Sequence, residues 1–362
     1  MSQIKKEFTS QLLAWYREHG RYDLPWQKNF DWYPRLLSEV MLQQTQVITV
    51  IPKFEAFIEK YPTPEALAYA RDDDVMALWA GLGYYSRARN LLKAVRMVVK
   101  EMGGVCPSTA KELQNLPGIG ESTAGAIASF VFKERAVMAD GNAQRVLSRV
   151  FLVEGRVSET SFKKKIWQLA ESLLPVEEDM PAYTQALMDF GALQCTRTPK
   201  CEGCPLGDIC AAKKADRVTE FPAKKIKRER PIRYLAVVFP FFGEEVGLQK
   251  KEDKGVWKDL WIPLAKEVDE PPCANKIPEI CGLREDMLER RIVLDRLVHD
   301  FTHYRVQIYP VVVDLTRKIV PFQGLWLSPE EDGNVGMPSP LAKLLEEIRC
   351  YRRMMPMLKD NQ

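Results

Sequence analysis

The chain has 362 residues, of which 46% are hydrophobic and 28% charged, a length and composition typical of two or three domains with sizeable cores. The 52 basic and 49 acidic residues leave a net charge of +3, which argues against a histone-like polycation but allows local basic surfaces. No apolar run approaches the roughly 20 residues that cross a bilayer, and the polar N-terminus lacks a signal-peptide core. We expect a cytoplasmic protein without a membrane partner, nucleoid-associated in a cell that has no nucleus.

The first half of the chain has a helical pattern. Over residues 3–213, apolar side chains recur every three or four positions in successive segments, and turn signals separate about ten short helices without a convincing strand. We predict an all-α domain over 1–194, followed by a cysteine-rich loop over 195–212.

The composition changes at Lys213. Residues 213–233 carry nine basic and three acidic residues, a net charge of +6 that leaves −3 for the rest of the chain. Two prolines and little apolar periodicity predict an interdomain connector. Two interpretations of its charge stay open: a solvated linker, or a segment that also contacts phosphates.

Both strand-like and helix-like patterns follow the connector. Residues 234–242 and 305–314 read as strands, whereas residues near 286–299 and 340–354 read as helices. This mixture predicts a separate α+β domain over 234–362.

Four of the eight cysteines lie within sixteen residues, at Cys195, Cys201, Cys204 and Cys210. Only the central pair has Cys-x2-Cys spacing, whereas zinc sites favour two such pairs. Four thiolates in one compact loop suit a [4Fe–4S] cluster, in which each iron takes one cysteine. Surrounding positive charge favours a structural, DNA-facing role over low-potential redox chemistry. Four free or zinc-bound cysteines are the alternative.

A glycine hairpin and an aspartate precede this loop. The glycines of LPGIG, residues 116–120, allow a tight hairpin that exposes backbone N–H groups beside a helix N-terminus, which is a phosphate site without a basic side chain. About twenty residues later, Asp140 stands before Gly-Asn at a predicted helix start, where a plain N-cap is the alternative to a functional role.

The hairpin, the aspartate at this distance and the four-cysteine loop together resemble the helix-hairpin-helix DNA glycosylase superfamily with an iron–sulfur loop. Segments 24–27 (LPWQ), 37–47 (LSEVMLQQTQV), 81–91 (GLGYYSRARNL) and 299–303 (HDFTH) resemble motifs of the MutY adenine DNA glycosylases. The resemblance covers almost the whole chain. It implies a monofunctional base excision repair enzyme that hydrolyses the N-glycosidic bond of adenine mispaired with 8-oxoguanine or guanine in double-stranded DNA. It also implies a C-terminal Nudix-like domain that recognises 8-oxoguanine.

The resemblance assigns the chemistry to two carboxyl groups. Glu39 is the general acid for N7 of adenine, and Asp140 stabilises or transiently traps the oxocarbenium-like sugar, a division of labour comparable to that of glycoside hydrolases. Apolar neighbours of Glu39 are expected to raise its pKa and keep it protonated. The Gly-Asn turn and nearby N–H groups are expected to keep Asp140 ionised.

The same resemblance places the binding residues. The adenine pocket is expected at Trp26, Gln27, Ser122, Asn142 and Gln185. Contacts with DNA are expected at Gln44, Thr45, Leu82, Tyr84, Gly118, Gly120 and Ser122. Recognition of 8-oxoguanine is expected at Phe301, Thr302 and His303. In addition to the [4Fe–4S] cluster, a monovalent cation bound beneath the hairpin carbonyls is a second candidate cofactor.

Ser122 stands where the endonuclease III branch carries a lysine, so Schiff-base chemistry is not expected. An endonuclease III-like pyrimidine glycosylase/lyase is still the closest alternative, and a non-catalytic DNA-damage binding protein belongs to another class. A Nudix hydrolase is disfavoured because Arg284 and Glu285 lack the glutamate spacing of a magnesium-binding box. We expect a monomer whose connector is a candidate contact for a clamp or another repair protein.

Overall fold

The computed structural model describes residues 2–28, 31–224, 229–252, 255–318, 324–331 and 335–359. The chain forms two compact units, one of Met1–Tyr69 with Ser86–Lys227 and one of Ala70–Tyr85 with Arg228–Gln362. The first is helical and the second is built on a sheet, which confirms the predicted combination of an all-α and an α+β domain. Segment 70–85, assigned to the helical domain from sequence, clusters with the second unit instead.

Twelve α-helices lie in the described part of the chain before Lys224. They are α1 Ser2–His19, α2 Trp32–Leu42, α3 Val47–Lys60, α4 Pro64–Ala68, α5 Asp72–Leu78, α6 Ser86–Glu101, α7 Ala110–Leu113, α8 Glu121–Phe132, α9 Gly141–Val150, α10 Thr160–Glu171, α11 Met180–Asp189 and α12 Ala211–Lys214. All but α5 belong to the first unit. A 3₁₀ turn at Pro25–Gln27 precedes α2, and a π-helical turn at Phe190–Gln194 continues α11.

The first unit has a core of fully buried aromatic and aliphatic side chains. Phe8 of α1, Leu147 of α9, Phe162 of α10 and Phe190 after α11 are each 1% exposed or less. Apolar residues of one helix are buried a turn apart, as Phe8 and Leu12 are on α1, so burying that face is what stabilises the short helices.

Part of the predicted connector is folded onto this unit. Phe221 is 4% exposed within the helical core, and Nε of Arg149 donates to the carbonyl oxygens of Val218 and Phe221, both at 3.0 Å. Residues 217–223 therefore do not form a free linker. Residues 225–228, at the centre of the predicted connector, lie outside the described residues.

The second unit contains an eight-stranded sheet. Its strands are β1 Ile232–Phe242, β2 Glu245–Lys250, β3 Trp261–Ile262, β4 Leu264–Val268, β5 Leu288–Val293, β6 Leu297–Asp300, β7 Arg305–Leu315 and β8 Gly324–Leu327. The order is β3-β2-β1-β7-β5, with β4 on β1, β6 on β7 and β8 on β2. β1 and β7 pair in parallel, with Val238 opposite Val311, and the other pairs are antiparallel.

Both faces of β1 are buried. Val237, Phe239 and Phe241 enter a core that is covered by helix α14 (Ser339–Lys359), while Ala236 and Val238 enter a core on the opposite face. Successive side chains of a strand point to opposite faces, so a doubly covered strand is apolar throughout. The short helix α13 (Ile277–Ile280) contributes to the second core.

The prediction of a helix near 286–299 is wrong. A 3₁₀ turn at Glu285–Met287 leads into β5 and β6, and both strands pair with β7. The apolar spacing of this segment is compatible with either structure, and the free edge of the long strand β7 decides between them. The strands predicted over 234–242 and 305–314 and the helix predicted over 340–354 are confirmed.

Segment 70–85 is attached to the second unit by polar contacts. Nζ of Lys250 lies 2.6 Å from Oδ1 of Asp73, and the Tyr85 hydroxyl donates to the carbonyl oxygen of Met337 at 2.9 Å. Among the described residues, no helix combines the length and the apolar character needed to span a bilayer.

Helix α8 packs against extended chain at a glycine. A Cβ atom added at Gly125 would lie 1.9 Å from the carbonyl oxygen of Val137, so only glycine permits this approach. We predict that Gly125→Ala lowers the free energy of unfolding by at least about 2 kcal/mol, because the overlap forces the backbones apart. Thermal unfolding measures this. Gly141→Ala is the control, since its Cβ meets nothing within 4 Å; equal losses in both variants would contradict the prediction.

Candidate active site

Glu39 lies in helix α2 and is half-buried. Leu36, Leu37, Val40 and Met41 are each 3% exposed or less and fix the helix in the core. Because residues three and four apart share a helix face, this packing determines where the carboxyl group points. The Glu39 side chain lines a cleft of the helical unit.

Asp140 is the N-cap of helix α9, at the helix start that the sequence predicts. Its Oδ1 accepts the backbone N–H of Ala143 at 2.7 Å. The preceding peptide is fixed on both sides, because the N–H of Ala139 donates to Oγ of Ser122 at 3.1 Å and Nε2 of Gln144 donates to the Ala139 carbonyl oxygen at 2.8 Å. Three elements therefore position this carboxylate.

The two carboxyl groups line the same cleft. It has about 860 Å³ of space not filled by protein atoms, part of it open to solvent. Four other residues predicted for the site also line it: Gln44, Thr45, Ser122 and Asn142. Lining residues that the sequence did not reveal include Arg21, Gln43, Thr123, Met138 and Met188. Gln43 lies within the 37–47 motif but had no expected role, whereas Arg21 and Met188 lie outside every motif.

The pKa of Glu39 is raised to about 7. Burial is the largest cause, because desolvation penalises the charged form. The positive charge of Arg35 opposes this shift, and the nearby Asp140 carboxylate adds to it. The direction agrees with the prediction from the apolar neighbours of Glu39.

Burial of Asp140 opposes the ionised form that the sequence predicts. Burial raises its pKa above the ordinary value, although the N–H groups of Ala143 and Asn142 and the charge of Arg145 act to lower it. The predicted N–H groups are present, but desolvation outweighs them. The pattern of residues could not reveal how deeply the fold encloses this carboxyl group.

The loop after α2 is held by a buried arginine. Nη1 of Arg87 donates to the carbonyl oxygens of Val40, Met41 and Gln43 at 2.6–3.0 Å, and Nη2 donates to Oγ1 of Thr45 at 3.0 Å. Within this loop Gln44 has φ +58° and an exposed side chain. A left-handed conformation is costly for a non-glycine residue and often marks a functional position.

Three residues predicted for the adenine pocket do not line the cleft. Trp26 is 2% exposed and packs edge-on against Phe54, with 5.5 Å between ring centroids. Gln185 is 5% exposed and donates from Nε2 to Asp189 at 2.9 Å. Gln27 has buried Oε1 and Nε2 atoms without a hydrogen-bond partner among the described residues.

The predicted hairpin is formed. Gly118 has φ +81°, and a Cβ atom there would lie 2.6 Å from Cβ of Asn90, so both backbone and packing require glycine. Gly120 is the N-cap residue of α8, with open space around its Cα. The N-terminus of α8 is thus accessible, as an anion site requires.

The second unit contains the residues predicted to read the lesion. The Tyr84 hydroxyl lies 3.1 Å from Oγ1 of Thr302, and both side chains are exposed. Tyr84 has φ +46°, a second left-handed position. Phe301 packs edge-on against Trp257, with 5.5 Å between ring centroids, while His303 is exposed and Leu82 is buried.

The four clustered cysteines line one cavity, which has about 350 Å³ of space not filled by protein atoms. Burial raises the pKa of the Cys204 thiol, and the three other thiols raise it further, so the four sulfur atoms interact electrostatically. Within the described ranges, no group of three or more His, Cys, Asp or Glu side chains could hold a metal ion. Four thiols around one cavity are the donor type that iron–sulfur clusters take.

Two arginines of α9 fix the cysteine loop. Arg149, 3% exposed, donates to the carbonyl oxygen of Thr196 at 2.6 Å and to Sγ of Cys195 at 3.4 Å. Arg145 donates to the carbonyl oxygen of Cys195 at 2.9 Å and to Oδ1 of Asn142 at 2.8 Å. The first cysteine is therefore connected to the helix that carries Asp140. These arginines lack a motif, and the sequence analysis missed them.

Comparison with known proteins agrees with this architecture. Residues 37–172 match the HhH-GPD superfamily of base excision DNA repair proteins, and residues 236–347 match the NUDIX domain. A solved thermostable thymine-DNA glycosylase is 29% identical, with a TM-score of 0.53, and the match covers 59% of this chain and 98% of that one. Fold and site define a helix-hairpin-helix base excision repair protein with a C-terminal NUDIX domain.

Two named relatives indicate the family within this class of base excision repair proteins. The adenine DNA glycosylase of Buchnera aphidicola subsp. Schizaphis graminum is 34% identical over 94% of this chain and 98% of its own length. The adenine DNA glycosylase of Homo sapiens is 44% identical over 57% of this chain and 39% of its own length. The chain belongs to the adenine DNA glycosylase family, which confirms the predicted family and enzyme class.

Stability should depend on pH through Glu39. Its folded pKa of about 7 lies above the ordinary 4.5, so between these values the unfolded chain loses the proton while the folded protein keeps it. Rising pH therefore destabilises the fold. We predict that Glu39→Gln is more stable than the parent protein at pH 8, by up to about 3 kcal/mol, and little changed at pH 4.

Chemical denaturation at pH 4, 6 and 8 measures this difference. Glu55→Gln, at an exposed position of α3, is the control. A Glu39→Gln effect of the same size at pH 4 and pH 8 would contradict the raised pKa.

Proposed function

We propose that this protein is a monofunctional glycosylase that hydrolyses the N-glycosidic bond of adenine mispaired with 8-oxoguanine or guanine in double-stranded DNA. The observation that carries the proposal is the pair of carboxyl groups, Glu39 and Asp140, in one cleft of the helical unit. Adenine is a poor leaving group, and the sugar becomes cationic as the bond breaks, so the reaction needs a proton donor and a negative charge. The names of the relatives support adenine as the base.

Glu39 is the proposed proton donor for N7 of adenine. Its pKa of about 7 keeps much of the acid form available at neutral pH, and a donor is most effective when its pKa lies near the working pH. Asp140 is the proposed stabiliser of the cationic sugar. The N–H groups at the start of α9 and the charge of Arg145 favour its ionised form, which makes it the better carboxylate of the two.

The residues around the cleft support hydrolysis without strand cleavage. No lysine is among the described residues that line it, and Ser122 uses its hydroxyl to accept the N–H of Ala139. A lyase reaction through a Schiff base needs a deprotonated amine near the sugar. We therefore propose that water, and not a side-chain amine, completes the reaction.

Gln27 is the residue we propose for recognising the edge of adenine. A buried amide without partners costs roughly 1–3 kcal/mol for each unsatisfied group, and the Oε1 and Nε2 atoms of Gln27 are both in this state. The Watson–Crick edge of a flipped adenine offers one donor, N6–H, and one acceptor, N1, which match this amide and leave N7 to Glu39. Trp26, Asn142 and Gln185 are proposed for the same adenine pocket.

DNA contacts are proposed in both units. The accessible N-terminus of α8, after Gly118 and Gly120, is suited to binding a backbone phosphate. The exposed Gln44, with its left-handed backbone, is suited to filling the gap that a flipped base leaves in the duplex. In the second unit, the adjoining hydroxyls of Tyr84 and Thr302 offer donors and acceptors for the N7–H and O8 of 8-oxoguanine.

The cysteine cavity is proposed to hold a [4Fe–4S] cluster. The donor set fits, because four thiols line one cavity and such a cluster takes one cysteine at each iron. Cys195, Cys201, Cys204 and Cys210 would each bind one iron. When bound, the cluster would cross-link the loop, and Arg149 and Arg145 would fix it to α9.

The catalytic assignment predicts that Glu39→Gln and Asp140→Asn each slow adenine release at least about 100-fold, because each removes an acid, base or charge that the transition state needs. Duplexes with 8-oxoguanine:A, G:A and thymine glycol are incubated with each protein and analysed with and without alkali. Scission should occur in the adenine strand only and only after alkali.

DNA binding by the two variants is the control and should be retained, since neither residue contacts phosphate in the proposal. Retained turnover in either variant would contradict its assignment. Cleavage at thymine glycol, or alkali-independent scission, would favour the endonuclease III-like alternative.

The cluster proposal predicts about four irons per chain and visible thiolate-to-iron absorption in the purified protein. Cys204→Ser should lose both, because it removes one ligand, whereas Cys273→Ser, at an exposed position outside the cavity, should keep both. Iron and absorbance are measured after anaerobic purification. Zinc in place of iron, or iron retained equally in both variants, would overturn the assignment.

A further inference from the structure

A buried arginine lies one helical turn before the proposed proton donor. Arg35 and Glu39 are four residues apart in α2, so their side chains lie on the same face of the helix. Arg35 is 3% exposed. Its guanidinium carbon lies 3.9 Å from the centroid of the Phe130 ring in α8.

Burying a guanidinium is costly unless other groups stabilise its charge. The Phe130 ring supplies part of that stabilisation through its π electrons. Desolvation lowers the pKa of Arg35, and the Glu39 carboxylate acts against that shift.

Three charged or titratable groups face Glu39 from the surrounding elements. Arg35 lies on its own helix, and Asp140 lies at the start of α9. Arg21, from the chain after α1, lines the same cleft, but its guanidinium is paired with the buried Asp189, with Nη2 at 2.6 Å and Nε at 3.0 Å from Oδ1. Helix α8 contributes hydroxyl groups.

We propose that Arg35 is a positioning residue that acts in adenine excision through Glu39, one turn away on the same face of α2. This inference rests on the proposed function. Enclosure in the protein and the charge of Asp140 both hold the proton on Glu39, and Arg35 is the cation on the same helix that opposes them. A carboxyl group that held its proton too tightly would be a poor donor, and could not release and regain it near neutral pH.

The competing role for Arg35 is structural, as packing between α2 and α8. Removal of an arginine with that role alone would lower stability and rate at every pH. Removal of a charge that tunes Glu39 would instead move the pH at which the rate falls. The pH profile therefore separates the two roles.

The test uses the full chain and single-turnover excision of adenine from a G:A duplex with enzyme in excess, between pH 5 and 9. Because Glu39 acts in its protonated form, the parent rate should fall as pH rises through its pKa. Arg35→Met and Arg35→Gln are neutral and differ in packing, so misfolding of one leaves the other to decide. Both should move the falling limb upward by about 1 pH unit.

Arg35→Lys keeps the charge and should restore a midpoint near that of the parent protein. Arg96→Met is the matched control, because Arg96 is a half-buried arginine of α6 that donates to the carbonyl oxygen of Ala68 at 3.0 Å; its midpoint should not move. Thermal unfolding of every variant shows whether it is folded.

The inference is overturned if folded Arg35→Met or Arg35→Gln keeps the parent midpoint, or if Arg35→Lys shifts as far as the neutral variants. A parent protein that releases no adenine contradicts the proposed function instead. The two failures are thus distinguishable.

Discussion

Two carboxyl groups that repel each other's charge share one desolvated cleft, and much of the helical unit serves to hold them there. Glu39 and Asp140 each have a pKa raised by burial, and Asp140 raises that of Glu39 further. Such a pair is unfavourable for stability when both groups ionise, so the surrounding charges must stabilise one carboxylate more than the other. Arg145 and the α9 N-terminus do so at Asp140, and Arg35 acts at Glu39.

The scaffold that holds this pair is made of close backbone approaches and buried arginines. Gly125 lets α8 approach the chain that leads to Asp140, and Ser122 on the same helix accepts an N–H of that chain. Arg87 holds the loop after α2, and Arg149 holds the cysteine loop. A guanidinium presents five donors in a fixed geometry, so one arginine can donate hydrogen bonds to several carbonyl oxygens at helix ends and in loops.

Sequence reasoning was accurate where a local pattern has one structural solution. Asp140 before Gly-Asn became an N-cap, and the glycine hairpin formed. It was wrong over 286–299, because β7 offered an edge that the local pattern does not show. It also missed Arg35, Arg87 and Arg149, since a buried arginine in a helix looks like a solvated one until its neighbours are known.

The sequence by itself determined the family, the two kinds of domain and the identity of the paired carboxyl groups, because these depend on motifs and on periodicity along the chain. Tertiary structure alone decided which side chains meet in the cleft, how strongly Asp140 is desolvated and which arginines act on the two acids. These properties depend on distances between residues far apart in sequence. Electrostatic energies vary steeply with such distances and with burial, and a linear pattern contains neither.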